Sequence, residues 1–380
     1  MLKEKDSVLI LTHFYFPAYK AGGPIRSIYN LYNLIEQKIS VKILCSDRDI
    51  DNSSLNVNDS GNVIYKLKVN IFKLIGILRV ESLHFNVLYI NSFFDFRTSI
   101  VPLLLIKFGA LDFDKIILAP RGELSIFALA RSGYKKKAYL FFSRFLGLHE
   151  KIVFHSTSLQ ESLDIKVVFP ISKVELVENV PLAPIVDSID SSDKIKGSLR
   201  LCFVGRVNEH KNLLFALESI RKLGSKSSLV ELSVFGTWED EYYYFKCLDY
   251  VSEYNLNVNF LGAVPNNKLL NLLSEYDFMY LPSKSENFGH AIFESLSIGV
   301  PVIISDRTRF KGLEKSGCGY DVPVSSPDNF TVLLNDLIDI DMSTHIIMKQ
   351  KALDFSNKFI NDYEFQQEYL KLFNSGLGNV

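Results

Sequence analysis

The chain has 380 residues, 47% hydrophobic and 13% aromatic, with 22% charged and a formal net charge of -1. That is more apolar material than one ordinary core uses and too little charge for a disordered chain, so two ordered domains are expected and no nucleic-acid partner is implied. The net charge conceals an asymmetry, because residues 1–185 carry 23 Lys and Arg against 17 Asp and Glu while the remainder carries 19 against 26.

The amino-terminal MLKEKDSVLILTHF places charges where a secretion signal needs a long apolar core. No stretch reaches the ~18–20 uncharged apolar residues of a spanning helix, and the best candidate, Ser99 to Leu111, is interrupted by Lys107. A cytoplasmic chain that does not cross a membrane is expected. Cys45, Cys202, Cys247 and Cys318 are scattered, with no Cys-x-x-Cys, and read as reduced, buried thiols.

Strand-like runs occur at Ser7–His13, Val41–Cys45, Val87–Ile90, Lys115–Ala119 and Ile152–His155, separated by helical pieces such as Pro24–Glu36 and Arg131–Leu146. The runs are continuously apolar rather than alternating, which suits parallel strands covered by helices on both faces. A polar, proline-containing stretch, Val180–Gly197, reads as a linker. Beyond it strands are predicted at Leu201–Val204, Leu232–Phe235, Val258–Leu261, Phe278–Leu281 and Val302–Ser305.

The expected architecture is α/β, with two Rossmann-like doubly wound domains presenting the carboxyl ends of their sheets to a central cleft. The expected boundaries are 1–185 for the first domain, 186–360 for the second, and 361–380 for a helix packing back toward the first domain.

In the KAGGPIRS segment, Gly22 and Gly23 form a turn whose amides can meet a phosphate, without the G-x-G-x-x-G spacing of a dinucleotide site. APRGELS ends another strand with Arg121, Gly122 and Glu123, of which Arg121 and Glu123 are candidate sugar or acceptor contacts. His13, ending the first strand, is a candidate on the acceptor side. LCFVGRVNEHKNL carries Gly205, Arg206 and Lys211, two cations able to neutralise a diphosphate leaving group.

SENFGHAIFESLSIGVP, following the strand FMYLP, sets Glu286 and Glu294 seven residues apart around Asn287, Phe288, Gly289 and His290. Carboxylates there can accept hydrogen bonds from a ribose diol and from sugar hydroxyls, and a glycine at the turn lets a ligand approach the main chain. His155 is read as a strand-end core residue or a substrate contact. Trp238 is read as core, with a place beside a nucleotide base as the alternative.

The order of these motifs resembles glycosyltransferase family 4, retaining enzymes of the GT-B fold, over nearly the whole chain. The resemblance rests on Glu286-x7-Glu294, on FVGR with Lys211, and on the GGP loop. It implies that Arg206 and Lys211 bind the donor diphosphate, Glu294 the ribose, and Glu286 with the Phe288–His290 backbone the transferred sugar. It also implies a nucleotide-sugar donor, UDP-linked by family frequency, with no cofactor and no metal. Many members have a histidine where this chain has Arg121.

The implied function is transfer of a hexose to a lipid-linked glycan in O-antigen, capsule or related surface-polysaccharide synthesis. Alternatives are a non-catalytic nucleotide-sugar or glycan-binding protein, a GT-B epimerase, or an inverting transferase. Asp-x-Asp triplets at Asp47, Asp112 and Asp339 are read as chance. Two basic apolar stretches, Arg131–Leu148 and Tyr65–Arg79, suggest peripheral docking on an anionic membrane by the first domain.

Overall fold

The computed structural model describes residues 7–130, 133–181, 194–238 and 240–374. Most of the expected linker, and Arg131 and Ser132 of the basic segment, therefore lie outside the described residues. The chain divides into two compact units, Met1–Val180 with Glu364–Val380, and Pro181–Tyr363. The dividing points fall at 180/181 and 363/364, not at 185/186 and 360/361.

Unit 1 runs β1 (Ser7–Leu11), α1 (Gly23–Ile35), β2 (Ser40–Leu44), β3 (Val63–Ile64), α2 (Ile71–Ser82), β4 (Val87–Ile90), then a π-helical turn (Phe96–Ile100) into α3 (Val101–Lys107). It continues with β5 (Lys115–Leu118), α4 (Ile126–Ala130), α5 (Tyr134–Phe145), β6 (Ile152–Ser156), α6 (Leu159–Val168) and β7 (Lys173–Leu176). All seven strands are parallel, in the order β3-β2-β1-β4-β5-β6-β7.

The central strands are buried along their whole length because nearly every side chain is apolar and both faces are covered. Leu9, Leu88, Leu118 and Phe154 of the sheet pack with Leu74 and Leu78 of α2 and Leu103 of α3. Local chemistry fixes the helix starts: Asn70 accepts from Phe72 N ahead of α2, and Ser158 accepts from Glu161 N ahead of α6.

Unit 2 runs β8 (Leu199–Val204), α7 (Leu213–Arg221), β9 (Val230–Phe235), α8 (Glu241–Glu253), β10 (Val258–Gly262), α9 (Asn266–Leu273), β11 (Phe278–Leu281) and α10 (His290–Ser297). There follow β12 (Val302–Ser305), α11 (Leu313–Ser316), β13 (Gly319–Val322), α12 (Pro327–Ile338) and α13 (Met342–Asn361). Its six strands are parallel in the order β10-β9-β8-β11-β12-β13.

The last helix, α14 (Phe365–Phe373), belongs to unit 1. Gln366 Nε2 donates to Leu34 O in α1, and Lys115 Nζ donates to Leu372 O. Phe373 meets the Tyr89 ring edge-on, and Tyr369 does the same to His155. Tyr369 and Phe373 are thereby part of the core of a sheet made more than two hundred residues earlier.

Candidate functional site

Each sheet reverses its winding once, between β1 and β4 in unit 1 and between β8 and β11 in unit 2. Open parallel sheets bind ligands at the carboxyl ends of the strands flanking such a reversal. The candidate residues fall at these two edges and are described unit by unit.

In unit 2, β8 ends at Val204, and the loop that follows carries Gly205, Arg206 and Lys211. Lys211 N donates to Asn208 Oδ1 at 3.0 Å, which curls the loop back over the strand end. Two hydrogen bonds tie it to the loop after β11: Asn212 Nδ2 to Pro282 O at 3.0 Å, and Lys284 N to His210 O at 2.8 Å. The result brings Lys211 Nζ to 2.7 Å from Glu286 Oε1, with the Glu286 side chain 9% and the Lys211 side chain 21% exposed. Ser285 Oγ lies 3.2 Å from His210 Nε2.

Gly289 caps α10 with φ of 82°, a left-handed conformation that a side chain resists, and a Cβ there would meet Ile292 Cδ1 at 2.9 Å. The α10 amino terminus therefore begins four residues after Glu286. Phe288 is buried against Phe310 and Phe359, with the Arg309 guanidinium over both Phe288 and Phe359. Its side chain holds the turn, leaving only its backbone for a ligand. Asn287 is exposed and His290 half-buried, while Glu294 lies in the second turn of α10 and is 9% exposed.

Trp238 differs from the core reading: three residues past β9 it is half-exposed and stacks on Tyr244 at 4.9 Å.

In unit 1, Gly22 is the residue before α1, with φ of 74° and open space where a Cβ would stand, and Gly23 is the first helical residue. Asp49 holds this loop by accepting from Tyr19 N at 3.0 Å and Lys20 N at 3.3 Å. One carboxylate of the Asp47–Asp49 triplet is thus used inside the fold. Among the described residues no group of three or more His, Cys, Asp or Glu is placed to hold a metal.

His13 Nδ1 donates to Asp95 Oδ2 at 2.6 Å, bridging the loops after β1 and β4. Burial pushes the Asp95 carboxyl up, but hydrogen bonds from His13 and Thr98 N outweigh it and leave the group below its usual range. Glu123 points inward, accepting from Phe93 N at 2.6 Å, Phe94 N at 3.0 Å and the Ser92 hydroxyl, and burial pushes its carboxyl up.

Arg121 is held by Asn91 Oδ1, Asn179 Oδ1 and Tyr89 OH. His155 is fully buried behind Tyr89, in the core and away from solvent. The structure thus brings Arg206, Lys211, Glu286, Gly289 and Glu294 to one edge, and His13, Gly22, Arg121 and Glu123 to the other. Asn208, His210 and Asn212 in unit 2, and Asn91, Asp95 and Asn179 in unit 1, are not legible from the sequence; only strand order shows that they reach the same loops.

Residues 187–353 match the family described as Glycosyl transferases group 1. No curated protein matches the chain at a significant level. Among solved structures, Anabaena HepE in complex with UDP and glucose is 12% identical, with 97% of this chain and 99% of that chain covered and a TM-score of 0.67. Sucrose-phosphate synthase from Thermosynechococcus elongatus is 15% identical, with 97% and 98% covered and a TM-score of 0.67. WaaG, a glycosyltransferase involved in lipopolysaccharide biosynthesis, is 13% identical, with 98% and 100% covered and a TM-score of 0.63. At such identities the structural likeness establishes the fold alone, GT-B with two Rossmann-like parallel sheets. That fold and the group 1 match across the second sheet together support a glycosyltransferase.

Proposed function

We propose that the chain is a retaining hexosyltransferase that takes its sugar from a nucleotide-sugar and passes it to a lipid-linked glycan during surface-polysaccharide assembly. The observation that carries this reading is the Lys211–Glu286 pair at the β8/β11 reversal, beside Arg206 and the start of α10. Support for a UDP-sugar comes from the Anabaena neighbour bound to UDP and glucose, and for a surface glycan from the lipopolysaccharide role of WaaG.

In this reading Arg206 and Lys211 face the donor diphosphate, Glu294 accepts from the ribose diol, and Glu286 with the Asn287–His290 backbone holds the sugar. The Gly22–Gly23 amides meet a phosphate in unit 1. As the anomeric carbon–oxygen bond breaks, its electron pair and the developing negative charge move onto the diphosphate. Fixed cations and helix amides there stabilise that charge without waiting for solvent to reorganise. The acceptor oxygen bonds to the anomeric carbon on the face the diphosphate leaves, and its proton passes to a donor phosphate oxygen. No metal is needed in this scheme, because side-chain cations and backbone amides supply the positive potential.

Unit 1 takes the acceptor and docks on the inner face of the cell membrane. Support comes from α5, where Phe141, Phe142 and Phe145 are exposed beside the exposed Lys135, Lys136 and Lys137. No described helix is long and apolar enough to span a bilayer. The reading is tested by a thermal-shift screen against UDP-, GDP-, ADP- and dTDP-sugars, followed by NMR of the product's anomeric proton. Stabilisation by none of them removes the donor assignment, and an inverted product removes the retaining one.

A further inference from the structure

Arg121 lies just past β5 with φ of 55°, a left-handed conformation that non-glycine residues seldom hold without a reason in the surrounding structure. Its guanidinium is fixed at three points. Nε donates to Asn91 Oδ1 at 2.6 Å, Nη1 to Asn179 Oδ1 at 2.5 Å and Nη2 to Tyr89 OH at 2.8 Å. Asn91 in turn donates to Thr12 Oγ1 at 3.2 Å, which anchors the set to the loop after β1.

The proton positions behind this set follow from chemistry. Val177 O can only accept, so His155 Nε2 carries a hydrogen and donates to it at 2.8 Å. Burial, and the Arg121 charge, push the His155 ring down to about 3, so at neutral pH it is uncharged and Nδ1 is an acceptor. Tyr89 therefore donates to Nδ1 at 2.8 Å and offers its oxygen to Arg121. Every group that touches the guanidinium is neutral.

Three carboxylates of the neighbouring loops are spent elsewhere. Asp95 takes His13, Glu123 takes Phe93 N and Phe94 N, and Glu161 takes Gly122 N at 2.6 Å, Thr157 N at 2.8 Å and the Thr157 hydroxyl at 2.7 Å. Arg121 makes no ion pair with any described residue, and three of its five N–H donors are used. The neutral acceptors orient the cation without neutralising it, and two Nη hydrogens remain for a ligand at a half-buried strand end.

We propose that Arg121 is a fixed cation that reads an anionic oxygen on a substrate of the transfer, a carboxylate or a phosphate. Asn91, Asn179 and Tyr89 are its positioning residues. The inference rests on the glycosyltransferase reading and narrows its substrate class to one with a negative group beyond the donor's own diphosphate.

Calorimetric binding to the full chain tests it with two matched pairs. UDP-glucuronate against UDP-glucose probes a sugar carboxylate, and geranyl diphosphate against geraniol probes an acceptor phosphate. UDP is the reference ligand for every variant, replaced by GDP, ADP or dTDP if one of those stabilises the protein instead, with the sugar pair changed to match. In at least one pair the anionic probe should bind about tenfold tighter or more, the size of one charge-assisted hydrogen bond. Arg121→Gln should erase that preference.

Asn179→Asp should erase it too, by placing a carboxylate against the guanidinium, which keeps the test decisive if Arg121→Gln fails to fold. Absence of preference in both pairs, or a preference that survives both substitutions, overturns the inference. Failure of every nucleotide to bind overturns the glycosyltransferase reading instead.

Discussion

Lys211 Nζ stands 2.7 Å from Glu286 Oε1 and joins the loop after β8 to the loop after β11. In this state the cation assigned to the diphosphate and the carboxylate assigned to the sugar neutralise each other, so a donor must compete with, or share, that pair.

Lys211→Ala and Arg206→Ala are each expected to lower turnover by roughly tenfold to a thousandfold, the range for losing one group that stabilises leaving-group charge. Lys211→Ala also strands Glu286, at a cost of about 1–3 kcal/mol in stability. Because Lys211 and Glu286 act on each other, the Lys211→Ala/Glu286→Gln double variant should lose less than the product of the two single losses. Steady-state transfer or donor hydrolysis, with melting temperatures alongside, measures this. Near-native turnover in folded Lys211→Ala and Arg206→Ala removes the diphosphate assignment.

Activity is expected to persist in excess EDTA, since Arg206, Lys211 and the α10 amides are the charges assigned to the leaving group. Loss of turnover on chelation, restored by magnesium or manganese, contradicts that assignment.

Replacing Lys135, Lys136 and Lys137 with Glu should weaken binding to anionic liposomes, as each lysine near such a surface contributes about 1 kcal/mol. Salt should weaken binding of the native protein in the same direction. Flotation that is unchanged by the substitutions and insensitive to salt takes α5 out of the docking surface.

Acid should destabilise unit 1 through its buried histidines. His149 packs among Phe93, Phe154, Phe169 and Tyr139, and burial, with Arg144, pushes its ring down to about 4, while His155 is pushed down to about 3. An unfolded histidine titrates near 6.5, so below that pH the unfolded chain takes up protons that the folded one refuses. The stability is fully present above about 6.5 and falls toward pH 4, by on the order of 2 kcal/mol per histidine at pH 5. His149→Phe should recover about one such share between pH 7 and pH 5 in urea unfolding. Equal pH dependence in the variant and the native protein counts against this account.

Much of the architecture is readable from the chain because most of the ten expected strands are largely apolar runs, as parallel strands buried on both faces require; the edge strand β10 (VNFLG), half-exposed, is carried by its Val, Phe and Leu. The three unexpected ones lack the signal for physical reasons. β3 has two residues, β7 (KVEL) is a half-exposed edge, and β13 (GYDV) mixes polar side chains into another edge. At the candidate site, spacing puts Glu286 at the turn between a strand and a helix, Glu294 in the first turns of that helix and Arg206 at a strand end, where the structure has them. It does not reveal that Lys211 and Glu286 touch across 75 residues. Nor does it show that three neutral residues, Tyr89 and Asn91 from β4 and its end and Asn179 from the loop after β7, converge on Arg121, since they look ordinary until the strand order is known.

The placement of α14 has a consequence for biosynthesis. Its Tyr369 and Phe373 cover the rings of His155 and Tyr89, yet they follow all of unit 2 in the chain. On the ribosome, the half that is begun first is the half that is closed last. Chains truncated before Phe365 and released from the ribosome should hold unit 2 protease-resistant while the β4–β6 face of unit 1 stays open to cleavage. Equal resistance of both units at that length contradicts this order of completion.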